Sequence, residues 1–370
     1  MAAAIAYLLQ KVRKYFSEYA MLIWLTIFSL NPIILMYSHL VTKDTIFAVL
    51  FALFGIKYYE YIRDKEVLGN KKWLISFLAI TILCSLFRNN FFYAAIISFV
   101  TLLCFRRDKK LFKPVIIYLC IYFAYSSILI PSLGITNGSI REVISVPFQQ
   151  TANYAKYYDL TDEEEEIIGR VLDTETLKEY KAPEVSNTVK NTFNKNATTE
   201  NLIDYFLLWG KMFFKHPDAY FDAYFNQFYG YFSTRPYFSA SYCLQPNVVA
   251  RYQLIQAGLN LSKELSLKPL KEIYNLGLMI ISSSPVHYLI TNSGIYIWII
   301  CAAIIKLLKN KKKDMIWFYL PYILYFLTLL LSPANASIEY RYMFPYLIAL
   351  PILLVPPREN QEHNQIKGEI

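Results

Sequence analysis

Long apolar runs alternate with short polar connections along most of the chain. Eight runs have roughly the length of a membrane-crossing helix, at about 20–40, 45–62, 73–88, 90–105, 114–131, 287–306, 315–332 and 342–356. A long and more polar stretch, 132–286, separates the first five runs from the last three. The pattern therefore predicts an all-α integral membrane protein with about eight transmembrane helices and a mostly helical extracytoplasmic insert.

The same pattern divides the chain into four regions. We expect an N-terminal membrane region with five spans, the insert, a C-terminal membrane region with three spans and a cytoplasmic tail, at 1–131, 132–286, 287–356 and 357–370. Hydrophobic residues make up 55% of the chain and charged residues 18%, below the level of about 25% usual in soluble domains. The composition therefore agrees with the membrane assignment.

Positive charge is concentrated in every second connection. Of 37 Lys and Arg residues, 20 lie in the N-terminal segment, in three short connections, in the C-terminal tail and in the span ends beside them. The opposite short connections hold only Lys43, Arg88 and Arg341, and the insert has slightly more acidic than basic residues. This asymmetry follows the positive-inside rule, which places both termini in the cytoplasm and the insert outside the plasma membrane. The net charge of +9 therefore does not indicate a nucleic-acid partner.

Three helices are predicted within the insert, at about 162–172, at 200–215 and from Pro217 onward. Thr161 and Glu164 have the spacing of a capping box, and Thr198 or Thr199 precedes the second helix as its cap. Pro217 is tolerated because it falls in the first turn of the third helix. The intervening stretch, 173–197, is predicted to be a loop.

The third insert helix carries a stripe of aromatic residues: Tyr220, Phe221, Tyr224, Phe225, Phe228 and Tyr229. Their helical spacing favours a single face. Two interpretations remain open at this point: the face packs on the bilayer interface or the membrane region, or it is an ordinary core face.

Two polar clusters lie in the outer short connections of the N-terminal region. In the first, Asp44, beside Lys43, is a candidate general base or metal ligand, and the alternative is that Asp44 caps the following helix. In the second, Arg88 and Asn89 form a tight turn. Arg88 is suited to bind a phosphate with two N–H groups, and the alternative is that it extends to the interface.

Two further clusters are also expected on the outer side. Gln149 and Gln150 could hydrogen-bond sugar hydroxyls, or they could lie in a turn that leads into a helix. Glu339 and Arg341 could form an ion pair beside Tyr340, with Arg341 as a pyrophosphate contact or as an interfacial anchor. No cluster requires a divalent metal, although one could participate. All four clusters share the side of the membrane that carries the insert, which favours a cleft at the outer interface.

The chain resembles the DUF6020 family of bacterial membrane proteins, which are similar in architecture to the GT-C glycosyltransferases. The matching segments are Asn31–Pro32, Leu86–Asn90, Ser145–Gln150, Tyr180–Lys190, His216–Tyr220 and Glu339–Pro345. The resemblance implies a transferase that uses a polyprenyl-phosphate-linked sugar at the outer leaflet, with a glycan or lipid acceptor. It also adds Lys190 to the candidate substrate-binding residues. Because GT-C enzymes usually carry an essential acid in their first outer loop, we also expect the chain to be an N-terminally shortened member.

These expectations lead to one hypothesis with two alternatives. In the hypothesis, Asp44 or Glu339 deprotonates the acceptor hydroxyl, while Arg88 and Arg341 stabilise the leaving lipid phosphate in cell-envelope polysaccharide or glycolipid synthesis. The first alternative is a polysaccharide polymerase or ligase, which would take a lipid-linked oligosaccharide. The second is a non-catalytic, shortened paralogue.

Overall fold

The computed structural model describes residues 1–39, 42–135, 140–180, 187–233, 272, 276, 292–332 and 340–354. Within these ranges every regular element is helical and no strand occurs, which confirms the all-α prediction.

Five helices precede Arg88: α1 Ala2–Tyr15, α2 Glu18–Leu30, α3 Pro32–His39, α4 Lys43–Arg63 and α5 Lys71–Phe87. The next group ends within the insert: α6 Asn89–Phe105, α7 Phe112–Ala124, α8 Ile130–Ser132, α9 Ile140–Val143, α10 Ser145–Tyr157, α11 Asp162–Gly169, α12 Thr174–Leu177, α13 Asn187–Lys190, α14 Thr199–Lys215 and α15 Pro217–Phe228. The described C-terminal helices are α16 Ile295–Lys309, α17 Leu320–Leu330 and α18 Phe344–Leu353. A π-helical stretch, Tyr125–Leu129, joins α7 to α8, and a 3₁₀ stretch, Lys313–Tyr319, precedes α17.

The first predicted span, 20–40, is two helices rather than one. The chain breaks at Asn31, which has extended backbone angles (φ −72°, ψ 116°). Its side-chain oxygen accepts hydrogen bonds from the backbone N–H groups of Ile33 and Ile34 at 2.9 and 3.2 Å. Because the residue before a proline avoids the helical region, Asn31–Pro32 ends α2 and begins α3.

Two helical stretches are long and apolar enough to cross a membrane by length and composition, Lys43–Arg63 and Lys109–Ser132. Their surroundings differ, because 67% of the apolar window of the first is buried against only 11% of the second. Two shorter apolar helices, α2 and α6, fall below this length. The described ranges thus contain two membrane-length helices, whereas the sequence predicts about eight spans.

Contacts divide the chain into two compact units. The first unit is Met1–Phe87, Phe232–Tyr319 and Met343–Ile370, and the second is Arg88–Tyr231 and Leu320–Tyr342. This division follows tertiary packing and groups the first part of the insert with α6, α7 and α17.

The first unit is built around α4, which packs against α18. Aromatic contacts hold the two helices together: Phe51 lies edge-on to Tyr346 at 5.4 Å between ring centroids. Phe344 of α18 also stacks on Tyr37 of α3 at 4.2 Å. These large side chains are nearly inaccessible to solvent, so α4 is the central helix of its unit.

An acid lies within the apolar run of α4 and has several partners. Glu60 accepts hydrogen bonds from Lys11 at 2.6 Å, Tyr15 at 2.9 Å and the indole N–H of Trp73 at 2.8 Å. Lys57 adds a fourth polar contact at 3.9 Å. Since burial of an isolated carboxylate is costly, these donors explain why an acid is tolerated here. Glu60 thereby connects α1 and α5 to α4.

In the second unit, the predicted local signals of the insert are confirmed. Thr161 and Glu164 form a capping box at the start of α11, and Thr198 rather than Thr199 caps α14. Pro217 lies in the first turn of α15, as expected. The stretch predicted as a loop contains the two short helices α12 and α13, and residues 181–186 lie outside the described part of the chain.

The aromatic stripe of α15 divides between two environments. Tyr220 and Phe228 are each 1% exposed and belong to the interior of the unit. Phe221 and Phe225 are 52% and 61% exposed. The stripe is therefore wider than one contact face, with an inner and an outer edge.

Candidate functional site

Arg88 lies in the second unit at the start of α6. It is the N-cap residue of that helix, with extended backbone angles (φ −141°, ψ 99°). Asn89 is the first residue of α6 and is exposed. The first N–H groups of a helix and its dipole favour an anion at this end. The local structure therefore places the Arg88 side chain beside a positive helix terminus.

Arg341 approaches Arg88 from a distant part of the sequence. It lies in the 3₁₀ turn Tyr340–Tyr342, which also belongs to the second unit. Arg341 Nη2 donates a hydrogen bond to the hydroxyl of Tyr342 at 2.9 Å, and its guanidinium carbon lies 4.9 Å from the centroid of that ring.

The ring of Tyr342 brings the two predicted arginines together. The guanidinium carbon of Arg88 also lies 4.9 Å from the Tyr342 centroid. Each guanidinium is therefore within the range of a cation–π interaction with the ring. Because both carbons are 4.9 Å from the same centroid, the two guanidinium carbons are at most about 10 Å apart. Stacking engages the face of a guanidinium, whereas its N–H donors point outward in its plane. The Arg88–Tyr342–Arg341 cluster thus gathers two guanidinium groups, each with planar N–H donors, around one tyrosine ring.

Tyr342 is the residue of this cluster that the sequence prediction missed. The prediction selected Tyr340 instead, but Tyr340 is 1% exposed and belongs to the interior. Tyr342 is partly exposed and contacts both arginines. The adjacent Arg–Tyr pair was visible in the sequence, although the contact with Arg88 depends on the tertiary fold.

Gln149 lies inside the unit and its amide is already engaged. It is 1% exposed, and its Nε2 donates to Gln227 Oε1 at 2.8 Å and to the carbonyl oxygen of Ser145 at 3.3 Å. Its Oε1 accepts from the hydroxyl of Tyr180 at 3.2 Å. A contact between Gln149 and a sugar hydroxyl would require at least one of these bonds to break.

Gln150, its neighbour on α10, is less constrained. Its Nε2 donates to the backbone carbonyl of Tyr220 at 3.4 Å, a long hydrogen bond. Its Oε1 is buried and has no hydrogen-bond partner among the residues that the structure describes. Gln150 therefore retains an acceptor that a donor on a ligand could engage.

Lys190 is held in an ion pair. Its ammonium lies 2.7 Å from a carboxylate oxygen of Glu142, and the Lys190 side chain is only 13% exposed. Its charge is therefore compensated within the insert, which lowers its attraction for an incoming phosphate. A substrate-binding role for Lys190 stays a prediction.

Lys43 and Asp44 belong to the first unit, at the start of α4. Thr42 is the N-cap, so the alternative in which Asp44 itself caps the helix is wrong by two residues. Asp44 is 3% exposed and lies in the first turn, where a carboxylate interacts favourably with the helix dipole. Lys43 is exposed. Glu339, the other predicted base, lies outside the described residues.

No group of three or more His, Cys, Asp and Glu residues that could hold a metal occurs in the described part of the chain. The features that define the site are therefore the arginine cluster and the polar interior of the insert. In the residues that the structure describes, all regular elements are helical and two helices have membrane-crossing length.

Comparison with protein families identifies the chain more closely. The model of the family described as "Family of unknown function (DUF6020)" matches residues 1–369, so the chain belongs to the DUF6020 family. No curated protein matches the chain. No solved structure matches it either.

Proposed function

We propose that the chain is a multi-pass membrane protein with about eight spans. The helical stretch Lys109–Ser132 supports this proposal because only 11% of its apolar window is buried. Large apolar side chains along it are strongly exposed, among them Phe112, Ile117, Phe123 and Ile128 at 61, 45, 52 and 68%. A continuous apolar surface of this size is unfavourable in water and suited to lipid.

The proposed orientation has both termini in the cytoplasm and the insert outside. The connections at 63–72, 106–113 and 309–313 are rich in Lys and Arg, which favours their cytoplasmic location. Arg88 and Arg341 then lie on the outer side, together with the insert. This is the side on which a bacterial lipid-linked sugar meets its acceptor.

We further propose that the protein is a glycosyltransferase of GT-C type. Its donor is a sugar linked to polyprenyl phosphate, and its product is a cell-envelope polysaccharide or glycolipid. The observation that carries this proposal is the Arg88–Tyr342–Arg341 cluster, with both guanidinium carbons 4.9 Å from one tyrosine ring. Planar, paired donors match the oxygens of a phosphate or diphosphate better than a single ammonium would.

In the proposed reaction, an acceptor hydroxyl attacks the anomeric carbon of the sugar. The bond between that carbon and the phosphate oxygen breaks, and polyprenyl phosphate leaves with the electron pair. Arg88 and Arg341 stabilise the negative charge that develops on the leaving oxygen. The hydroxyl proton passes to a carboxylate, for which Glu339 remains a candidate, and such a base contributes roughly 10²–10⁴-fold in rate. A catalytic role for Asp44, which belongs to the first unit, stays a prediction.

The test is a transfer assay with the purified full chain in liposomes. A panel of polyprenyl-phosphate-linked sugars is supplied with envelope glycans and glycolipids, and the release of polyprenyl phosphate is measured. We expect Arg88→Ala and Arg341→Ala each to reduce turnover about tenfold or more, because a charged hydrogen bond contributes roughly 1.5–3 kcal/mol. Arg341→Lys should recover only part of the loss, since an ammonium cannot bind in a bidentate way.

A matched control is Arg63→Ala. Arg63 also stacks on a tyrosine, with its guanidinium carbon 5.7 Å from the Tyr59 centroid, but it lies on the proposed cytoplasmic side. We expect normal turnover in this variant. Equal losses in all three alanine variants would contradict a specific role for the cluster. Release of the lipid carrier only from lipid-linked oligosaccharides would instead favour a polymerase or ligase.

A further inference from the structure

Two helices of the insert expose a continuous apolar surface. Along α14, Ile203, Leu207 and Phe214 are 55, 63 and 85% exposed and follow helical spacing. On α15, Phe221 and Phe225 are 52 and 61% exposed. We call these five residues the aromatic edge of the insert.

Ring contacts connect the two helices across this edge. Phe213 lies 5.4 Å from Phe214 and 6.0 Å from Phe221, between ring centroids. Phe221 in turn lies 6.2 Å from Phe225, with the rings nearly parallel. The exposed rings of α14 and α15 therefore form one surface rather than two isolated patches.

Hydrogen bonds from the inner side of α15 attach this surface to the C-terminal end of α17. The hydroxyl of Tyr224 donates to the carbonyl oxygen of Leu330 at 3.1 Å, and Gln227 Nε2 donates to that of Ser332 at 3.5 Å. Leu330 is the last residue of α17, an apolar helix of the same unit, and Ser332 lies two residues beyond it. Just beside them Leu331 is 76% exposed. Helix α15 thus lies at the end of a helix that we place in the membrane.

We infer that the aromatic edge is a membrane-binding surface that inserts into the outer leaflet at the boundary between headgroups and acyl chains. Aromatic side chains are favoured at this depth, and helices that lie in the interface bury one apolar face. The charged residues Glu200, Asp204 and Lys211 flank this apolar face of α14 and are exposed, as expected where an interfacial helix meets the headgroups. This inference rests on the membrane placement proposed above but is independent of the transferase chemistry.

The edge would also serve the proposed reaction. A lipid-linked donor carries its phosphate at the headgroup level, and the Arg88–Tyr342–Arg341 cluster belongs to the same compact unit as α14 and α15. Insertion of the edge would hold this unit against the leaflet from which the donor must be taken. The aromatic edge itself binds the bilayer surface, not the donor.

The inference can be tested by lipid quenching of single fluorophores. The full chain, with its five native cysteines replaced by alanine, carries one environment-sensitive label at a substituted cysteine: Phe214→Cys, Phe221→Cys, Glu200→Cys or Ile117→Cys. Each protein is placed in liposomes that contain phospholipids spin-labelled near the headgroup. Ile117 marks the proposed membrane region, and Glu200 marks the N-terminal end of α14, about four turns from Phe214.

We expect labels at 214 and 221 to be quenched to within about twofold of the label at 117, and the label at 200 to be quenched much less. Unquenched labels at 214 and 221 beside a quenched label at 117 would overturn the inference. An unquenched label at 117 would overturn it together with the membrane placement. If the fluorescence of the labels at 214 and 221 changes with protein concentration but not with spin-labelled lipid, the aromatic edge binds a second copy of the chain. That result would also overturn the inference.

A measurement on the unaltered chain guards against misfolding of the labelled variants. Hydroxyl-radical footprinting in liposomes should oxidise Phe214, Phe221 and Phe225 more slowly than Tyr157, which is 60% exposed on α10. Equal oxidation rates would overturn the inference. A negative transfer assay combined with lipid-dependent protection would remove the proposed chemistry and leave the aromatic edge in place.

Discussion

Replacing Gln149 with leucine tests whether this residue is part of the scaffold or a sugar ligand. The sequence pattern allows both roles, but the structure surrounds the amide with Gln227, Tyr180 and the carbonyl oxygen of Ser145. Leucine has a similar volume, so the main effect of Gln149→Leu is the loss of these hydrogen bonds.

The loss of stability in Gln149→Leu can be estimated from the polar groups that lose their hydrogen-bond partners. Gln227 Oε1 loses a donor at 2.8 Å, and the Tyr180 hydroxyl loses an acceptor at 3.2 Å. A buried polar group without its partner costs about 1–3 kcal/mol, and part of this is offset by the apolar side chain. We expect a net loss of roughly 2–3 kcal/mol, which corresponds to a fall in Tm of about 3–4 °C for a chain of this length.

The assay is thermal unfolding of the purified chain in detergent at a fixed scan rate, because membrane proteins often unfold irreversibly. Gln150→Leu is the matched control. It removes one 3.4 Å bond together with a buried oxygen that has no partner in the described structure, so its Tm should change by less than about 1 °C. An unchanged Tm for Gln149→Leu, combined with weaker binding of the sugar donor, would refute the scaffold role.

Three further predictions concern other polar contacts. Burial raises the pKa of Glu164, but hydrogen bonds from Lys215 and from the backbone of Thr161 outweigh it and leave that pKa below its ordinary value. The ionised Glu164 carboxylate therefore stabilises the fold above the ordinary carboxyl pKa, and this stabilisation is lost as the pH falls through the lowered pKa. On acidification, Tm should fall more steeply in the native chain than in Glu164→Gln. Parallel curves of Tm against pH would contradict this prediction. Thr198→Ala should cost about 1 kcal/mol and speed hydrogen exchange in the first turn of α14, whereas unchanged exchange would exclude the cap. Glu60→Leu removes the acceptor shared by α1 and α5, so limited proteolysis should cut α1 faster than in the native chain, and an unchanged cleavage rate would contradict that role.

Local signals in the sequence were sufficient where the structure is determined by neighbouring residues. The Thr161–Glu164 capping box, the Thr198 cap and the Pro217 start each involve contacts within three or four positions, and all are confirmed. The break at Asn31 also has a local cause, but hydropathy averaged over a span hides a single polar residue. The first span was therefore predicted as one helix.

Contacts between distant residues could not be derived in the same way. Arg88 and Arg341 were each selected for their chemistry, yet only the fold shows that Tyr342 lies against both. The environment of Gln149 likewise depends on Gln227, which comes from another helix. Glu60 was overlooked because an acid in an apolar run gives no indication of the three donors that satisfy it.

The most direct test of the central claim is binding of the lipid phosphate itself. Native mass spectrometry of the full chain, released from liposomes, compares polyprenyl phosphate with the uncharged polyprenol of the same length. We predict that the native chain and Arg63→Ala retain polyprenyl phosphate. In Arg88→Ala and Arg341→Ala the bound fraction should fall about tenfold or more, as expected for the loss of a charged hydrogen bond. Equal retention of polyprenol and polyprenyl phosphate, or equal retention of the phosphate by all variants, would contradict the account.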